Sequence, residues 1–483
     1  MKRNADSILL TAHGTWVNDV HSGSSRTLVD RVVPVDSTEA VSAVVSRAQQ
    51  AGRSVSVCGG RHAMGAQAFA TGAVLLDTAP MTRISSFDRT RGVITVGAGI
   101  RWPALIDELA TLQPDDARPW TIRQKQTGAD ALSLGGALAA NIHGRGLRMR
   151  PFVDDVEAIT LVDAAGDVVR ADRLENRELF SLVAGGYGLF GVVTEIELRL
   201  TRRRRVRRRV EMIDANELPG AFAARIADGF EYGDFQFAID PRSDDFLWRG
   251  VFSCYEPLHD EDDEGDGIDE PAPARALDDR DWTELLWLAH TDKSRGFERY
   301  AAHYLSTDGA LYHSDTHQLT TYVDGYHEAI DQRLGHASPH GEMITELYVP
   351  RAALPAFLTD LADDLRAVDA DVIYGTVRLV EADDVSFLRW ARAPFACVVL
   401  NLCMERSADG ERRAKGQFRA LIDRALAFGG SFYLTYHRYA TREQVEQAYP
   451  MFREFLRLKD EVVDPDTRFA SDWWRHYRAA FTA

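Results

Sequence analysis

The sequence predicts an α+β protein with more than one domain, and three observations support this prediction. Short apolar strands alternate with amphipathic helices before residue 205, and three glycine-rich segments interrupt that alternation. Longer aromatic and apolar strands alternate with helices between residues 206 and 430. The chain has 483 residues, which is long enough for two or more domains.

The first part of the chain contains a repeated pattern of strand and helix. Val41, Val44 and Val45 recur at helical spacing after the capping sequence Ser37-Thr38-Glu39. The elements predicted here are strands at Val32–Pro34, Ser54–Val57 and Gly92–Val96, helices at Ala40–Ala51 and Pro103–Leu112, and a hairpin over Asp154–Arg170.

The first glycine-rich segment, VSVCGGRHAMGAQAFATGAVLLD at Val55–Asp77, is the most informative part of the chain. Gly59 and Gly60 directly follow a short apolar strand, where glycine lets the backbone approach a ligand without Cβ interference. His62 follows, and a histidine at the edge of such a loop can act as a ligand, a base or a covalent attachment point. A glycine-rich turn with a solvated histidine is the other interpretation of this segment alone.

The second segment, TGADALSLGGALAANIHGRG at Thr127–Gly146, combines Gly135 and Gly136 with small alanines and closes with Asn141 and His143. Small side chains leave room for a flat ring or for phosphates against the backbone, and the amide N–H groups of such a loop attract anions. Packing of a helix rich in small residues is the alternative explanation.

The third segment, AGGYGLFGVVTEIELRL at Ala184–Leu200, contains Gly186, Gly188 and Gly191 in the spacing G-x-G-x-x-G. That spacing marks a dinucleotide site only where a strand precedes it and a helix follows. A period-two strand follows here instead, with one mostly apolar face and one charged face. The sequence therefore argues against a Rossmann-type NAD site.

The three segments together, in this order and at these separations, resemble the FAD-linked oxidases of the vanillyl-alcohol oxidase and p-cresol methylhydroxylase (PCMH) superfamily. The resemblance implies a PCMH-type, two-subdomain FAD-binding domain over residues 1–205. It implies an α+β substrate (cap) domain with an antiparallel sheet over residues 206–440, and a C-terminal segment, residues 441–483, that returns to the FAD-binding domain.

The resemblance also assigns residues to the cofactor. In many members of the superfamily, a histidine at the position of His62 is bonded to the 8α-methyl group of the flavin. No cysteine stands near Gly135, so a second covalent attachment is not expected. The cofactor-binding residues that the resemblance implies are Cys58, Gly59, Gly60, Arg61, His62, Ala63, Met64, Gln67, Gly128, Ser133, Gly135, Gly136, Asn141, His143, Gly144, Gly188, Gly191, Val192, Val193 and Tyr433.

Oxidation of a C–H bond by FAD needs the substrate carbon near flavin N5, a group that takes the proton, and positive charge near the reduced ring. The catalytic candidates are Arg378, His437, Tyr433 and Glu346. Arg378 lies on a predicted strand at Tyr374–Glu381, and sugar-alcohol oxidases of the superfamily carry a similar arginine. An interface salt bridge is the alternative role of Arg378, and Glu346 is alternatively a solvated strand residue.

The stretch FYLTYHRY at Phe432–Tyr439 predicts a strand with Tyr433 and His437 on the same face. It resembles a strand of the decaprenylphosphoryl-ribose oxidases that carries a tyrosine and a lysine beside the flavin. Tyr433 matches that tyrosine, but Tyr436 occupies the lysine position, which places a lysine-based role in doubt. His437 is the general-base candidate by its chemistry, and a structural histidine is the alternative.

The resemblance implies hydride transfer from a CH–OH carbon to flavin N5, with O2 as acceptor and H2O2 as product, on a sugar, alditol or similar polyol. A dehydrogenase of the same fold is the alternative, acting on a 2-hydroxy acid or a lipid-linked sugar with a different electron acceptor. A flavin-containing binding or scaffold protein without turnover is a third hypothesis. The sequence does not determine the oligomeric state.

The formal net charge of −17 argues against general nucleic-acid binding, which uses a basic face. The run RRRRVRRR at Arg202–Arg209 is a local exception. We interpret it as a strand with one solvated face at a domain junction, in preference to a nucleic-acid or membrane patch. Binding of a phosphorylated substrate or a lipid phosphate by this run stays open.

No metal site, membrane span or signal peptide is expected. The apolar patch Ile8–Leu10 is too short for a signal-peptide core, and the run near Phe395–Met404 is too short for a membrane span. The four scattered cysteines indicate reduced thiols of a cytoplasmic protein. His313 and His317, taken as helix neighbours, lack further metal ligands. The acidic stretch His259–Ala274 lacks the closing glutamate of a calcium loop and predicts a flexible surface loop.

Overall fold

The computed structural model describes residues 9–11, 14–258, 277–320, 323 and 325–482. These residues form a mixed fold of helices and five β-sheets, of which four are antiparallel and one is parallel. This architecture agrees with the predicted α+β class. The stretch His259–Ala274, predicted as a surface loop, lies outside the described residues.

The N-terminal part contains two small sheets. The elements are β1 Leu9–Thr11, β2 Gly14–Val17, β3 Thr27–Val29, β4 Arg31–Pro34, α1 Thr38–Gln50, β5 Val55–Cys58 and β6 Val74–Asp77. Strands β1 to β3 form an antiparallel sheet, and the parallel sheet has the order β4-β6-β5. Helix α1 begins as predicted, because the Ser37 side chain accepts a hydrogen bond from Ala40 N. It buries Val41 and Val45 in the cluster that contains Val55.

A five-stranded antiparallel sheet follows. The elements are β7 Ile84–Asp88, β8 Val93–Gly97, α2 Trp102–Thr111, β9 Trp120–Thr121, α3 Leu134–Ala140, β10 Val156–Val162, β11 Val168–Asp172, α4 Arg177–Val183 and β12 Val192–Arg199. The sheet has the order β11-β10-β12-β8-β7. The predicted hairpin is confirmed as the antiparallel pair β10 and β11. The strand predicted after the third glycine-rich segment is confirmed as β12, with strictly alternating burial.

An eight-stranded antiparallel sheet dominates the rest of the chain. The elements are β13 Thr201–Arg202, β14 Arg205–Asp214, α5 Leu218–Ala227, β15 Tyr232–Phe237, β16 Arg249–Pro257, α6 Asp279–Thr291, α7 Lys293–Leu305, β17 Leu311–His313, α8 Tyr326–Leu334, β18 His340–Pro350, α9 Leu354–Ala367, β19 Asp371–Val380, β20 Phe395–Glu405, α10 Ala408–Ala427 and β21 Ser431–Phe432. The sheet has the order β17-β14-β16-β15-β19-β20-β18-β21, and β13 pairs with β9. Short 3₁₀ helices lie at Phe152–Asp155, Thr316–Gln318 and Arg351–Ala353.

The C-terminal segment packs back onto the parallel sheet. Its elements are α11 Arg442–Ala448, α12 Phe452–Arg457, a π-helical turn at Leu458–Val463, and α13 Asp472–Thr482. Phe469 forms a parallel bridge to Val55, and Val55 N donates to Arg468 O at 2.6 Å. The segment therefore continues the parallel sheet on the free side of β5.

The arginine run begins at the end of β13 and continues into β14, so most of it is strand, as predicted. Arg207 and Arg209 both pair with Glu256 on the neighbouring strand β16, at 3.4 and 3.0 Å. Arg208 lies on the opposite, buried face of the same strand. Two arginines on one face of this basic strand thus share one neighbouring carboxylate, and the other face is directed inward.

Two local predictions are wrong. Strand structure in Phe432–Tyr439 stops at Phe432, because the first glycine-rich loop takes the next backbone oxygens: Gln67 Nε2 donates to Leu434 O at 2.8 Å, and Met64 N donates to Thr435 O at 3.3 Å. His313 and His317 are not helix neighbours, since the first ends β17 and the second lies in the turn at Thr316–Gln318. None of the helices in the described part of the chain is long and apolar enough to cross a membrane.

Candidate active site

A cleft of about 620 Å³ lies between the three glycine-rich segments and one face of the eight-stranded sheet. On the sheet side, Glu346 and Arg378 line it, as does Tyr436 from the turn after β21. The predicted cofactor-binding residues that line the cleft are Cys58, Gly59, Gly60, Arg61, His62, Ala63, Met64, Gln67, Gly128, Gly135, Gly136, Gly188, Gly191 and Val193.

The glycines allow these segments to contact one another closely. A Cβ atom on Gly59 would lie 2.1 Å from Ser133 Oγ, and one on Gly60 would lie 2.6 Å from a backbone oxygen of the second segment. Gly188 has a φ of +73°, and a Cβ there would lie 2.7 Å from Val57 Cγ1. A larger side chain at any of these positions would push the cleft walls apart.

His62 lies in the wall of the cleft. Its Nε2 atom is buried and has no hydrogen-bond partner among the described residues. Burial, with the charges of His21 and Arg101, lowers the pKa of this imidazole to about 4, so the ring is neutral at pH 7. A neutral imidazole nitrogen is the nucleophile that attachment to a flavin methyl group needs.

Glu346 is a buried carboxylate on β18 that accepts several hydrogen bonds. Tyr436 Oη donates to its Oε1 at 2.6 Å, Tyr348 Oη donates to its Oε2 at 2.6 Å, and His143 Nε2 lies 3.0 Å from Oε2. Burial alone would raise the pKa of Glu346, but the charge and hydrogen bond of His143 and the two hydroxyls hold this pKa at about 2. Glu346 is therefore ionised at neutral pH.

His143 supports Glu346 without lining the cleft itself. Its second ring nitrogen, Nδ1, lies 2.9 Å from Gly144 O, so both nitrogens face acceptors. Through these two contacts His143 links the Glu346 carboxylate to the backbone of the second glycine-rich segment.

Arg378 on β19 lines the cleft and is 4% exposed. Burial opposes its charge, but nearby Tyr374, Glu346 and Asp234 raise the pKa of its guanidinium. Its Nε atom is buried without a hydrogen-bond partner among the residues described. The arginine is thus held as a cation at the wall of the cleft.

Tyr433 and His437 do not line the cleft, because the chain leaves the strand after Phe432. Tyr433 Oη donates to Ala140 O at 2.6 Å in the core. His437 is 1% exposed and stacks on Tyr439, and burial lowers the pKa of its imidazole to about 3. His437 fits the structural alternative and is misplaced for a general base.

Four more of the predicted cofactor-binding residues lie behind the lining: Ser133, Asn141, Gly144 and Val192. Ser133 caps α3 by accepting from Gly136 N at 3.3 Å. Asn141 adopts φ +51°, its Nδ2 donates to Asp383 at 3.0 Å, and its O accepts from Trp390 Nε1 at 3.1 Å. Asn141 therefore joins the second glycine-rich segment to the loop after β19.

The sequence reasoning missed several polar residues in the cleft: Gln126, Arg145, Arg208, Asp234, Gln236, Tyr374 and His317. Arg145 directly follows the quoted His143-Gly144 pair. Arg208 alternates with Val206 and Val210, so period-two spacing could have placed it on the buried face of β14. Asp234 and His317 carried no comparable signal.

The cleft fits FAD on two observations: its glycines hold the surrounding segments in close contact, and the Nε2 of His62 in its wall has no partner among the described residues. The fold and the cleft thus define an FAD-binding protein. Residues 29–172 match the protein family described as an FAD binding domain. Residues 29–172 therefore form an FAD-binding domain, and the resemblance found in the sequence is confirmed.

Relatives of this chain include named oxidoreductases. An uncharacterized oxidoreductase, ORF5 in the fasciation locus of Rhodococcoides fascians, is 32% identical over 41% of this chain and 42% of its own. The mitochondrial L-galactono-1,4-lactone dehydrogenase of Arabidopsis thaliana is 30% identical over 27% of this chain and 20% of its own. The L-gulono-1,4-lactone dehydrogenase of Mycobacterium tuberculosis is 22% identical over 89% of this chain and 92% of its own. The chain thus matches less than half the length of the first two.

Proposed function

We propose that the chain is an FAD-dependent oxidoreductase that oxidises a CH–OH group of a sugar-derived substrate. The observation that carries this proposal is the position of Glu346, Tyr436 and Arg378 on the wall of the cleft that the glycine-rich segments form. FAD, when bound, supplies a two-electron acceptor for the hydride of such a carbon.

The polar residues of the sheet side supply the rest of the chemistry. Arg378 provides positive charge where the substrate oxygen gains negative charge as its proton leaves. The 2.6 Å hydrogen bond between Tyr436 and the ionised Glu346 gives that proton a relay through the tyrosine hydroxyl. Glu346 orients this relay and does not retain the proton, because its pKa of about 2 is too low for that at neutral pH. His143 holds the carboxylate in place from behind.

Covalent attachment of FAD through His62 is part of the proposal. The neutral ring and the unpartnered Nε2 atom support a bond to the flavin methyl group. Acid precipitation of the purified protein tests it. We expect a yellow pellet from the wild type and from the surface control His336→Ala. We expect a colourless pellet from His62→Ala. A yellow supernatant from the wild type would remove covalent attachment and leave the FAD-binding domain.

The substrate class rests on the names of the relatives and on the superfamily. A sugar, alditol or similar polyol is our first substrate class, and a sugar lactone is added because two of the relatives are named lactone dehydrogenases. We expect members of these substrate classes to bleach the flavin under anaerobic conditions. If the bound flavin stays oxidised with every alcohol, lactone and hydroxy acid, the result would favour a flavin-containing binding or scaffold protein without turnover.

The electron acceptor separates the two enzymatic hypotheses. We propose O2 as the acceptor with H2O2 as product, and the dehydrogenase names of the relatives favour a different acceptor as the second candidate. Stopped-flow mixing of the reduced protein with oxygenated buffer distinguishes them. Reoxidation within the turnover time supports an oxidase, and slow reoxidation with fast transfer to an artificial dye supports a dehydrogenase.

We also propose the three-part division at residues 205 and 440, with two subdomains in the FAD-binding part. The separate parallel and five-stranded sheets before β13 support two subdomains. The bridge between Phe469 and Val55 supports a C-terminal segment that belongs with the first of them. Limited proteolysis near residues 205 and 440, with and without FAD, tests the boundaries.

A further inference from the structure

Three arginines line one side of the cleft in a continuous strip. Arg378 on β19 lies beside Asp234 on β15, since Phe235 and Val377 are paired in register. Asp234 Oδ1 lies 3.9 Å from Arg145 Nη1. Arg145 and Arg208 both lie against the ring of Tyr255, at 4.8 and 5.0 Å from its centroid. The strip therefore runs across the sheet from β19 to β14, away from Glu346.

The three arginines of the strip carry more positive charge than Asp234, the carboxylate among them, can balance. Three guanidinium groups face one aspartate, which leaves a net charge of +2. The nearby pair of Lys125 and Asp130, at 2.6 Å, adds no net charge, and Glu346 lies at the Arg378 end of the strip, away from Arg145 and Arg208. Buried charge without a partner is costly, so this excess needs an explanation.

Arg208 is oriented by hydroxyls and aromatic rings and has no carboxylate partner among the residues described. Its Nε donates to Tyr255 Oη at 2.8 Å, and its Nη1 donates to Thr307 Oγ1 at 3.0 Å. The rings of Tyr304 and Tyr312 lie 5.1 and 4.9 Å from its Cζ. These contacts hold the guanidinium in one position but leave its full charge uncompensated.

Three buried N–H donors on the strip lack acceptors in the described part of the chain. They belong to Arg145 Nε, Arg378 Nε and His317 Nε2, and all three side chains line the cleft and are at most 7% exposed. The tautomer of His317 follows from geometry: its Nδ1 accepts from Arg145 Nη2 at 2.9 Å, so Nε2 carries the proton. A buried donor without an acceptor in the protein calls for an oxygen from a bound water or ligand, and here three such donors lie on one strip beside excess positive charge.

We propose that this strip, from Arg378 through Arg145 to Arg208, is a subsite for an anionic group of the substrate, either a carboxylate or a phosphate. The inference rests on the proposed function and narrows its substrate class to sugar acids or sugar phosphates. The anion would bind at the Arg145 and Arg208 end, and the CH–OH carbon would lie toward Glu346. Arginine is suited to both oxyanions because its N–H fork matches two oxygens at once.

Matched substrate pairs test the proposal on the flavin-loaded protein. D-Gluconate differs from D-sorbitol, and D-glucose 6-phosphate from D-glucose, by one anionic group. We expect kcat/KM for flavin reduction to be about tenfold or more higher for at least one anionic member than for its neutral partner. The pair that shows the preference separates a carboxylate from a phosphate. Equal values within both pairs would overturn the proposal.

Arg208→Gln, with Arg207→Gln as the matched control, tests the residue. Both arginines lie on β14, but Arg207 is on the outer face and pairs with Glu256. Arg208→Gln is expected to lower kcat/KM of the anionic member about 10- to 100-fold through KM, with little change for the neutral one. Arg208→Lys keeps the charge and should recover part of the loss. An equal loss for both members of a pair would contradict the subsite.

Phosphate titration gives a readout that needs no turnover. Inorganic phosphate should raise the Tm of the wild type above that in chloride at equal ionic strength, and Arg208→Gln and Arg145→Gln should abolish this difference. If phosphate does not raise the Tm of the folded wild type, and no anionic substrate is preferred over its neutral partner, the proposed subsite is refuted. A different outcome is that no substrate reduces the flavin while the protein still binds phosphate through these arginines. That outcome would refute the proposed function but would still support the anion subsite.

Discussion

Tyr436 Oη donates a hydrogen bond of 2.6 Å to Glu346 Oε1, which joins the turn after β21 to the neighbouring strand β18. Gln126 Nε2 in turn donates to the same tyrosine oxygen at 3.1 Å. The hydroxyl therefore has a fixed direction at the wall of the cleft. A proton that leaves a bound alcohol meets an ordered hydrogen-bond chain that ends on a carboxylate.

Tyr436→Phe removes this hydroxyl and keeps the ring. We expect flavin to remain bound and the rate of flavin reduction to fall about 10- to 100-fold, because the proton route is lost. Anaerobic stopped-flow measurements of flavin bleaching provide the rate. The matched control is Tyr449→Phe, which removes a buried hydroxyl that donates to Phe432 O outside the cleft. An equal loss of rate in both variants would mean that the effect is structural.

Gly59→Ala should abolish flavin binding. The new Cβ would lie 2.1 Å from Ser133 Oγ, so the first two glycine-rich segments cannot keep their contact. The flavin content of the purified protein, measured by absorbance, is the readout. Gly416→Ala is the control, because that glycine lies within α10 and has nothing within 4 Å of the added Cβ. It should stabilise the helix by about 0.5–1 kcal/mol and retain flavin. Normal flavin content in Gly59→Ala would refute the close-contact argument.

The stability of the protein should fall as the pH drops below about 6.5, partly because of His437. The pKa of His437 is lowered by burial to about 3 from an ordinary value of 6.5, so the unfolded chain takes up this proton first. The contribution of neutral His437 to the free energy of unfolding is fully present above pH 6.5 and is lost as the pH falls toward 3. At pH 4 the cost is roughly 3 kcal/mol.

His437→Phe removes that titration. The decrease in urea midpoint between pH 7 and pH 4 should be smaller in this variant than in the wild type. If the wild type and His437→Phe lose stability in parallel over this range, the buried neutral histidine is not responsible.

The ion pair between Lys459 and Asp464 should be important for the C-terminal segment. Both side chains are fully buried, Nζ and Oδ2 lie 2.6 Å apart, and Asp464 also accepts from the backbone N of Arg468 and Phe469. Lys459→Met should destabilise the protein by about 3–5 kcal/mol, because it leaves a buried carboxylate without its cation.

Thermal unfolding of the loaded protein measures this loss. Arg412→Ala, which breaks an exposed pair with Asp409, is the control and should not change the Tm. The double variant Lys459→Met/Asp464→Asn should be less destabilised than the two single losses added together. A Tm of Lys459→Met equal to that of the wild type would show that the pair is dispensable.

The sequence predicted the fold best where local pattern and tertiary contacts agree. Helix α1 and strand β12 have an N-cap or a strict period of two, and both lie where they were expected. The strand expected over Phe432–Tyr439 failed although its alternation was clear. Its backbone bonds to Gln67 and Met64, far away in the sequence, and no local pattern reveals such a partner.

The site was predicted in part for the same reason. The glycines and His62 form continuous motifs, and most of them line the cleft. Arg378 and Glu346 are on predicted strands and also line it. His143 was assigned to the cofactor but supports Glu346 instead, since the pairing depends on a strand about two hundred residues later. Contacts of this kind are set by the packing of the whole chain and cannot be read from spacing.

The bridge between Val55 and Phe469 has a consequence for the order of events during synthesis. The strand that leads into Cys58–Gly60 acquires its outer neighbour only after residue 469 has left the ribosome. A nascent chain therefore carries an open sheet edge beside its glycine-rich loop until Phe469 has emerged. A protease cut after Asp464 should expose the same sheet edge beside the glycine-rich loop.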